Sequence, residues 1–169
     1  IRVVKFDTGS DPKQAQVATR TLAEDHDALA IIGPFSSGEA RVAFGAGERI
    51  GIVQIPNAAS TPGLAKDKPF AFRVTEDEGK QLNRMLSSLT RKGLAAKTAA
   101  IMYESDEFIS KIVGTAVMPP GFKAVGIELT SEPEGFPRDA FDLSPQIAKI
   151  MQNPPDVLGV GAILDGAVK

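Results

Sequence analysis

The sequence of 169 residues contains no cysteine and no tryptophan, and it has a single histidine, His26. Without cysteine there is no disulfide, no thiolate metal ligand and no cysteine nucleophile. One histidine is too few for a multi-histidine metal site, and any serine and histidine catalytic pair would have to use His26. Because Asp25 and Asp27 flank it at the predicted end of a helix, we interpret His26 as a solvated surface residue.

Blocks of like charge and long apolar runs are also missing. Nineteen basic and twenty-one acidic residues give a net charge of -2 without clustering, so the sequence predicts neither a nucleic-acid partner nor binding to a membrane surface. The longest apolar runs, residues 28–32 and 157–164, fall far short of the roughly 20 residues that span a bilayer, so no membrane insertion is expected. With 43% hydrophobic residues, the composition is that of a globular protein.

Short β-like runs alternate with segments of helical periodicity from end to end. This order is typical of βαβ units, in which helices flank a parallel sheet, so the sequence predicts an α/β fold. The seven predicted strands are residues 1–6, 29–33, 52–55, 70–74, 98–103, 123–129 and 157–160. Several are continuous aliphatic runs, as expected for strands that are covered on both faces.

Five helices are predicted from start signals and apolar spacing. They begin near residues 11, 36, 75, 109 and 144. Thr75 and Glu78 form the capping box of the third helix, and Pro119 and Pro120 are expected to stop the fourth. Two long loops are predicted at residues 56–68 and 132–142.

The turn Gly-Pro-Phe-Ser-Ser-Gly at residues 33–38 is the first candidate site. It follows a predicted buried strand and opens a helix. Ligands of open α/β sheets bind outside the carboxyl ends of the strands, and a helix N-terminus offers unpaired N–H groups to an anion. Ser36 and Ser37 would add hydroxyl donors. The alternative is that one serine simply caps the helix.

The second candidate is Pro-Asn-Ala-Ala-Ser-Thr-Pro at residues 56–62, just past the next strand. Small residues let a ligand approach the backbone, and Ser60 and Thr61 can both donate and accept hydrogen bonds. The alternative is a surface turn rich in turn formers. Because the two loops follow successive strands of one sheet, we expect them at the same edge, where they would form one wall of a cleft.

Catalytic and metal sites are weakly indicated. A nucleophile elbow needs glycine two residues before the serine, but Pro34 stands there before Ser36. We interpret the acidic clusters at residues 76–78 and 104–107 as acids in the first turns of helices. Neither a phosphate loop nor a dinucleotide fingerprint is present. The sequence therefore predicts no enzyme, no metal and no cofactor.

Four segments in order resemble a known family. They are DPKQA at residues 11–15, IIGPFSSG at 31–38, IPNAASTPGL at 55–64 and FAFRVT at 70–75. At this spacing the chain resembles the type I periplasmic binding proteins, and more narrowly the branched-chain amino acid binding proteins that serve ABC transporters. The likeness continues through residues 100–106, 142–150 and 155–161, so it covers essentially the whole chain.

The resemblance implies two Rossmann-like lobes, each a parallel sheet flanked by helices, which close over a small ligand without chemistry. Residues 1–74 would be part of lobe one and residues 75–169 part of lobe two. Members of the family are about twice this length and begin with a further strand and helix, so we expect the chain to be an incomplete part of a larger protein. An isolated half would expose apolar surface and should be poorly soluble or dimeric.

The resemblance also implies ligand contacts. Ser37 would donate its hydroxyl and N–H to a ligand carboxylate, while Ala58 would offer its carbonyl and Ser60 its hydroxyl and N–H. A family tyrosine falls on Phe108, and another aromatic falls near Ile163. The candidate ligand-binding residues are Phe35, Ser36, Ser37, Ala58, Ala59, Ser60, Phe108 and Ile163.

The function implied is capture of a small carboxylate and its delivery to an ABC transporter permease, in the periplasm or another extracytoplasmic space, with or without a lipid anchor. Phe108 and Ile163 make the lobe-two wall more apolar than in amino acid binders, so aromatic and aliphatic acids stand beside branched-chain and other apolar amino acids as candidates. In the family, the acid that pairs with an amino acid's ammonium group lies beyond this chain's end. The alternative function is the ligand-sensing domain of a regulator or receptor with the same fold.

Overall fold

A computed structural model describes residues 1–93 and 95–167. The chain divides into two units, Ile1–Asp77 and Glu78–Lys169, each with its own parallel sheet. The α/β prediction is therefore confirmed, while the assignment of residues 1–74 and 75–169 to two lobes stays a prediction. None of the helices in the described ranges is long and apolar enough to cross a bilayer.

Unit 1 contains a two-stranded sheet and two long helices. Its elements in order are α1 (Pro12–Arg20), which continues as a wider π-helical turn over Thr21–Asp25, β1 (Ala30–Ile32), α2 (Ser37–Ile50) and β2 (Val53–Ile55). Strands β1 and β2 pair in parallel, with Ala30 opposite Val53 and Ile32 opposite Ile55. The carboxyl ends of the two strands therefore meet at one edge.

Local signals set the helix boundaries of unit 1. The Asp11 side chain accepts a hydrogen bond from Lys13 N at 2.8 Å, and Pro12 occupies the first helical position of α1, where no N–H is needed. Gly51 ends α2 in the left-handed conformation, with φ 84°. The helical stretch that begins at Pro12 ends at Asp25, as predicted.

Small residues let α2 pack closely in unit 1. Gly47 faces the buried Gln54 side chain so closely that a Cβ at this position would collide with the amide. Gln54 is satisfied there, because its Nε2 donates to Thr19 Oγ1 at 3.0 Å. The main apolar cluster of the unit consists of Ala40, Phe44, Ala59, Leu64 and Ala71.

Two strands predicted in unit 1 are wrong. Residues 1–6 lie mostly exposed beside an open groove of about 990 Å³, and within the described chain no strand borders them closely enough to pair. Residues 70–74 reduce to one bridge between Ala71 and Gln54, with Phe72 N donating to Gln54 O at 2.9 Å. Pairing partners, which a local pattern cannot supply, decide both cases.

Unit 2 is built around one long strand. Its elements are α3 (Glu78–Arg91), β3 (Thr98–Glu104), α4 (Phe108–Ile112) continuing as a π-helical turn over Val113–Val117, α5 (Met118–Ala124), β4 (Glu128–Leu129), β5 (Glu134–Phe136), α6 (Ser144–Ile150), β6 (Val157–Gly161) and α7 (Leu164–Ala167). Strand β4 pairs with the beginning of β3 and β5 with its end, while β6 runs beside residues 99–103. All three pairings are parallel.

Strand β3 separates two apolar clusters. One contains Leu86, Ala99, Ile101, Met118, Phe122 and Ile127, and the other contains Ala100, Met102, Phe136 and Ile150. The alternation along β3 sends successive side chains to opposite faces of the sheet. Both faces are covered along this strand, which explains why its sequence is a continuous apolar run.

Four local predictions for unit 2 need correction. Pro119 and Pro120 do not stop the helix; both lie in the first turn of α5, which follows the π-helical turn over Val113–Val117 without a break. Because α5 extends through Ala124, the predicted strand at residues 123–129 shrinks to β4. The loop predicted at residues 132–142 contains β5, whose pairing with β3 outweighs its weak strand propensity.

The fourth correction concerns the start of α3. Thr75 does not cap this helix, because it lies two residues before the N-cap position, and its hydroxyl donates to Asn57 O at 3.1 Å. The helix begins at Glu78, two residues later than the capping-box pattern indicates.

Asp156 joins the start of β3 to the turn before β6. Its carboxylate accepts hydrogen bonds from Lys97 N at 2.8 Å, Thr98 N at 3.0 Å and Thr98 Oγ1 at 3.1 Å. The backbone N–H groups of Lys97 and Thr98 hold the pKa of the Asp156 carboxyl below its usual value of 3.8. The folded state therefore favours the ionised form.

We predict that Asp156→Asn destabilises the protein at neutral pH and that its deficit shrinks in acid. Because the folded-state pKa lies below the unfolded one, the stabilisation is fully present above the unfolded pKa and is lost as pH falls through the folded pKa. Urea unfolding of both proteins at several pH values between 7 and 3 measures the difference. Asp139→Asn, at an exposed position, is the control, and a deficit that does not change with pH would contradict the prediction.

Candidate functional site

The two loops predicted as one wall do lie together in unit 1, at the carboxyl ends of β1 and β2. Gly33 N, just after β1, donates to Ile55 O at the end of β2 at 2.9 Å. From there the first loop enters α2 through Ser36, and the second continues through residues 56–62. Parallel pairing of the strands brings both loops to one edge, as the order of elements indicated.

Ser36 is the N-cap of α2 and forms a complete capping box with Glu39. Ser36 Oγ accepts from Glu39 N at 3.2 Å and donates to Glu39 Oε2 at 2.8 Å, while Ser36 N donates to the same oxygen at 3.3 Å. Thr8 Oγ1 donates to the other carboxylate oxygen. The single hydroxyl proton of Ser36 is thus engaged within the protein, so the capping alternative holds for this serine.

Ser37 is the first residue of α2 and is 2% exposed. Its Oγ accepts from Ser60 N at 3.1 Å and from Thr61 N at 3.2 Å. A serine hydroxyl has two acceptor sites and one proton, so these two bonds use its acceptor capacity and leave the proton to donate. Within the described residues, no acceptor is recorded for that proton.

The helix end adds further donors beside Ser37. The first N–H groups of an α-helix have no intrahelical acceptor, and the capping box occupies those of Ser36 and Glu39. The N–H groups of Ser37 and Gly38 are left at the positive end of the α2 dipole. Together with the Ser37 hydroxyl they form a set of donors that suits a carboxylate.

The second loop is held from both sides. The Ser60 N–H, which the resemblance assigns to the ligand, donates to Ser37 Oγ in this structure, so Ser60 offers its half-buried hydroxyl. Arg73 Nη1 donates to Thr61 O at 2.7 Å and also pairs with Asp77 at 3.9 Å. Ala58 is half-buried beside this anchored backbone. The loop is therefore fixed by backbone hydrogen bonds, which its composition did not reveal.

The remaining candidates of unit 1 face different surroundings. Phe35 is 68% exposed, whereas Ala59 is 1% exposed and belongs to the apolar cluster under α2. Ser36, Ser37 and Ser60 come together around the start of α2. The roles of all these residues toward a ligand stay predictions.

Of the two candidates of unit 2, Ile163 contacts the buried carboxylate of Glu104, and Phe108 begins the helix that carries a second neighbour of this carboxylate, Ser110. Phe108 is the first residue of α4, which Glu107 caps by accepting from Ser110 N at 2.7 Å. Ile163 follows β6, and its N–H donates to Glu104 Oε2 at 3.3 Å. Both Phe108 and Ile163 are half-buried, and Glu104 is 0% exposed.

Glu104 corrects one interpretation of the sequence. It is not an acid in the first turn of a helix but the last residue of β3. The signal that could have identified it is its place directly after the run Ala99–Tyr103, two residues ahead of the other acids of the cluster. Within the described residues, no group of three or more His, Cys, Asp or Glu side chains could hold a metal ion.

Comparisons with known proteins bear on the family and the fold of the chain. The sequence profile of a family described as periplasmic binding protein matches residues 1–169. Among curated protein sequences, none matches the chain.

Three solved structures illustrate the likeness. A leucine binding protein from Thermotoga maritima has a TM-score of 0.82 at 22% identity, over 93% of this chain and 44% of that one. The isoleucine complex of a branched-chain amino acid transporter substrate binding protein from Streptococcus pneumoniae has a TM-score of 0.78 at 22% identity, over 93% of this chain and 43% of that one. A solute binding protein of an ABC transporter from Rhodopseudomonas palustris, in complex with 3,4-dihydroxybenzoic acid, has a TM-score of 0.77 at 18% identity, over 93% of this chain and 42% of that one. These likenesses show the fold, and the chain spans less than half the length of each structure.

We predict that the two serines contribute differently to stability. Ser36→Ala removes the helix cap and should cost about 1 kcal/mol. Ser37→Ala leaves the N–H groups of Ser60 and Thr61 without an acceptor in a buried setting and should cost about 1–3 kcal/mol. Urea unfolding measures both. Ser87→Ala, at an exposed position of α3, should change stability little, and a Ser37→Ala variant as stable as this control would contradict the prediction.

Proposed function

Because this chain belongs to the periplasmic binding protein family, we propose that it is a solute-binding protein that captures a small carboxylate and delivers it to an ABC transporter. The observation that carries the proposal is the hydrogen bonding of Ser37. Its hydroxyl accepts two backbone N–H groups and keeps its proton for an external acceptor.

A carboxylate fits this set of donors better than a neutral or cationic group. Hydrogen bonds to a charged acceptor are about twice as strong as neutral ones, and the N-terminus of α2 adds the favourable end of its dipole. Glu39 lies close by, but Thr8 and Ser36 donate to both of its oxygens. Both of its oxygens therefore have hydrogen-bond donors within the protein, which leaves the donors of Ser37 and Gly38 to the ligand.

The choice of ligands follows from what the similar structures bind. Their described ligands are leucine, isoleucine, 4-hydroxybenzoate and 3,4-dihydroxybenzoic acid. All four carry a carboxylate on an apolar or aromatic body. The resemblance assigns Phe108 and Ile163 to the remainder of the ligand, and both are apolar. We therefore propose branched-chain or other apolar amino acids and aromatic or aliphatic acids as the ligand class.

Capture and delivery imply the partner and the place. We propose an ABC transporter permease as the protein partner and a periplasmic or other extracytoplasmic location, with residues 1–74 and 75–169 belonging to two lobes. A ligand-sensing role in a regulator or receptor would use the same carboxylate donors. Transport by cells that express the permease distinguishes the two roles, since a sensor would change signalling and leave uptake unaltered.

Binding without chemistry agrees with the setting of the serines. Ser36, which a hydrolase would use as its nucleophile, caps α2 and donates to Glu39. His26, which would have to act as its base, is exposed. We propose that a bound ligand leaves unchanged, which mass spectrometry of the released compound can establish.

We predict that the protein with its natural flanking sequence binds one or more of leucine, isoleucine, 4-hydroxybenzoate and 3,4-dihydroxybenzoate. Ligand at one hundred times its Kd should stabilise the protein by about 2.7 kcal/mol. Ser37→Ala should weaken binding about tenfold to a hundredfold, because the carboxylate loses a charge-assisted hydrogen bond. Isothermal titration calorimetry gives both affinities.

Two controls define what would contradict this function. Ser87→Ala should bind as tightly as the unaltered protein, since Ser87 lies exposed on α3. The amide or methyl ester of the bound acid, which lacks the carboxylate charge, should bind far more weakly. Failure of all four acids to bind, or equal affinity for an acid and its ester, would refute the proposed carboxylate capture.

A further inference from the structure

A buried carboxylate stands at the carboxyl end of β3 with only one of its oxygens satisfied. Glu104 Oε2 accepts from Ile163 N at 3.3 Å and lies 3.5 Å from Ser110 Oγ. The other oxygen, Oε1, forms an ion pair with Arg138 Nε at 3.9 Å, a distance too long for a hydrogen bond. Within the described residues, Oε1 has no hydrogen-bond partner. A fully buried acid of this kind is costly and requires a reason.

The chain after β6 is shaped around this carboxylate. A Cβ at Gly166 would collide with Glu104 Oε1 and lie 2.7 Å from its Cδ. At the other end of the same stretch, a Cβ at Gly161 would lie 2.9 Å from Ser110 O and 3.3 Å from Gly114 N. Glycine at both positions lets residues 161–167, here called the post-β6 segment, approach β3 and α4 closely.

Three contacts thus join Glu104 to the elements that carry the ligand candidates of unit 2. The Ile163 N–H fixes the backbone of the post-β6 segment, and the absence of a side chain at Gly166 makes room for the carboxylate. Ser110 lies on α4, the helix that begins at Phe108. Glu104 is therefore placed to set the position of Ile163 relative to the start of α4.

We infer that Glu104 is a positioning residue, which holds the post-β6 segment against β3 and so presents Ile163 to the ligand. The inference rests on the proposed function, because the position of Ile163 matters to activity only if this residue contacts ligand. Glu104 itself is 0% exposed and acts through the segment and not through the ligand.

Hydrogen exchange tests, without any ligand, whether Glu104 holds the post-β6 segment against β3. Glu104→Leu keeps the bulk but has no acceptor, so the Ile163 amide should exchange at least about tenfold faster. Glu104→Gln keeps an acceptor oxygen and should exchange nearly as the unaltered protein does. Gly166→Ala places a methyl group against the carboxylate and should loosen the same segment by a second route. Gly45→Ala is the matched control, because a Cβ there meets nothing within 4 Å.

A double variant separates this contact from general destabilisation. In Glu104→Ala with Gly166→Ala, the added methyl occupies space that the carboxylate has left. The double variant should therefore lose less opening free energy in the post-β6 segment than Glu104→Ala and Gly166→Ala lose together as single variants. Its amides there should exchange more slowly than that sum predicts. Additive effects would overturn the inference, since they would mean that the two residues do not share this contact.

Binding measurements complete the test in the protein with its natural flanking sequence. Glu104→Leu and Gly166→Ala should weaken an amino acid such as leucine and an acid without an ammonium group, 4-hydroxybenzoate, by similar factors of about tenfold, while Glu104→Gln retains affinity. Faster exchange with unchanged affinity for a ligand that the unaltered protein binds would overturn the positioning role. Loss of leucine binding alone in Glu104→Gln would also overturn it, because the carboxylate would then meet the ammonium group directly.

The two proposals fail separately. If the unaltered protein binds none of the acids, the proposed function fails, and the exchange rates still decide whether Glu104 holds the post-β6 segment. If exchange of that segment is the same in Glu104→Leu as in the unaltered protein, the inference fails whatever the protein binds.

Discussion

The two hydrogen bonds that Ser37 Oγ accepts from Ser60 N and Thr61 N are the constraint on which the candidate site of unit 1 depends. They join the start of α2 to the loop after β2 and fix both at the edge where the parallel strands end. They also determine chemistry, because a hydroxyl that accepts twice can only donate further. One buried atom thereby organises two loops and leaves a hydrogen-bond donor at the start of α2.

The neighbouring residues Ser36 and Ser37 have different hydrogen-bond partners because the helix begins between them. Ser36 precedes the helix, so its side chain turns back to the N–H of Glu39 and its proton goes to the Glu39 carboxylate. Ser37 lies one residue into the helix, where its side chain points to the second loop. A shift of one residue along the chain converts a structural cap into a donor that is available to a ligand.

Much of this arrangement could be predicted from the sequence where local signals and strand order suffice. The α/β alternation, the start of α1 at Pro12 and the meeting of the two loops follow from periodicity, capping and parallel pairing. Three of the failures share a cause: residues 1–6, residues 70–74 and β5 form strand or coil according to which backbone lies beside them. No window of sequence contains that partner, so propensity alone cannot decide.

The candidate site shows the same limit at the level of single side chains. Glu39 and Glu104 are both buried acids, yet composition marks neither of them as buried. For Glu39 the serine three residues earlier is a local signal, and the capping box satisfies the carboxylate together with Thr8. For Glu104 the partner N–H belongs to Ile163, 59 residues further on, and one oxygen stays without a donor among the described residues. A locally satisfied acid stabilises a fold, whereas an acid whose backbone N–H donor belongs to a distant segment couples that segment to the sheet, and such coupling becomes visible only in three dimensions.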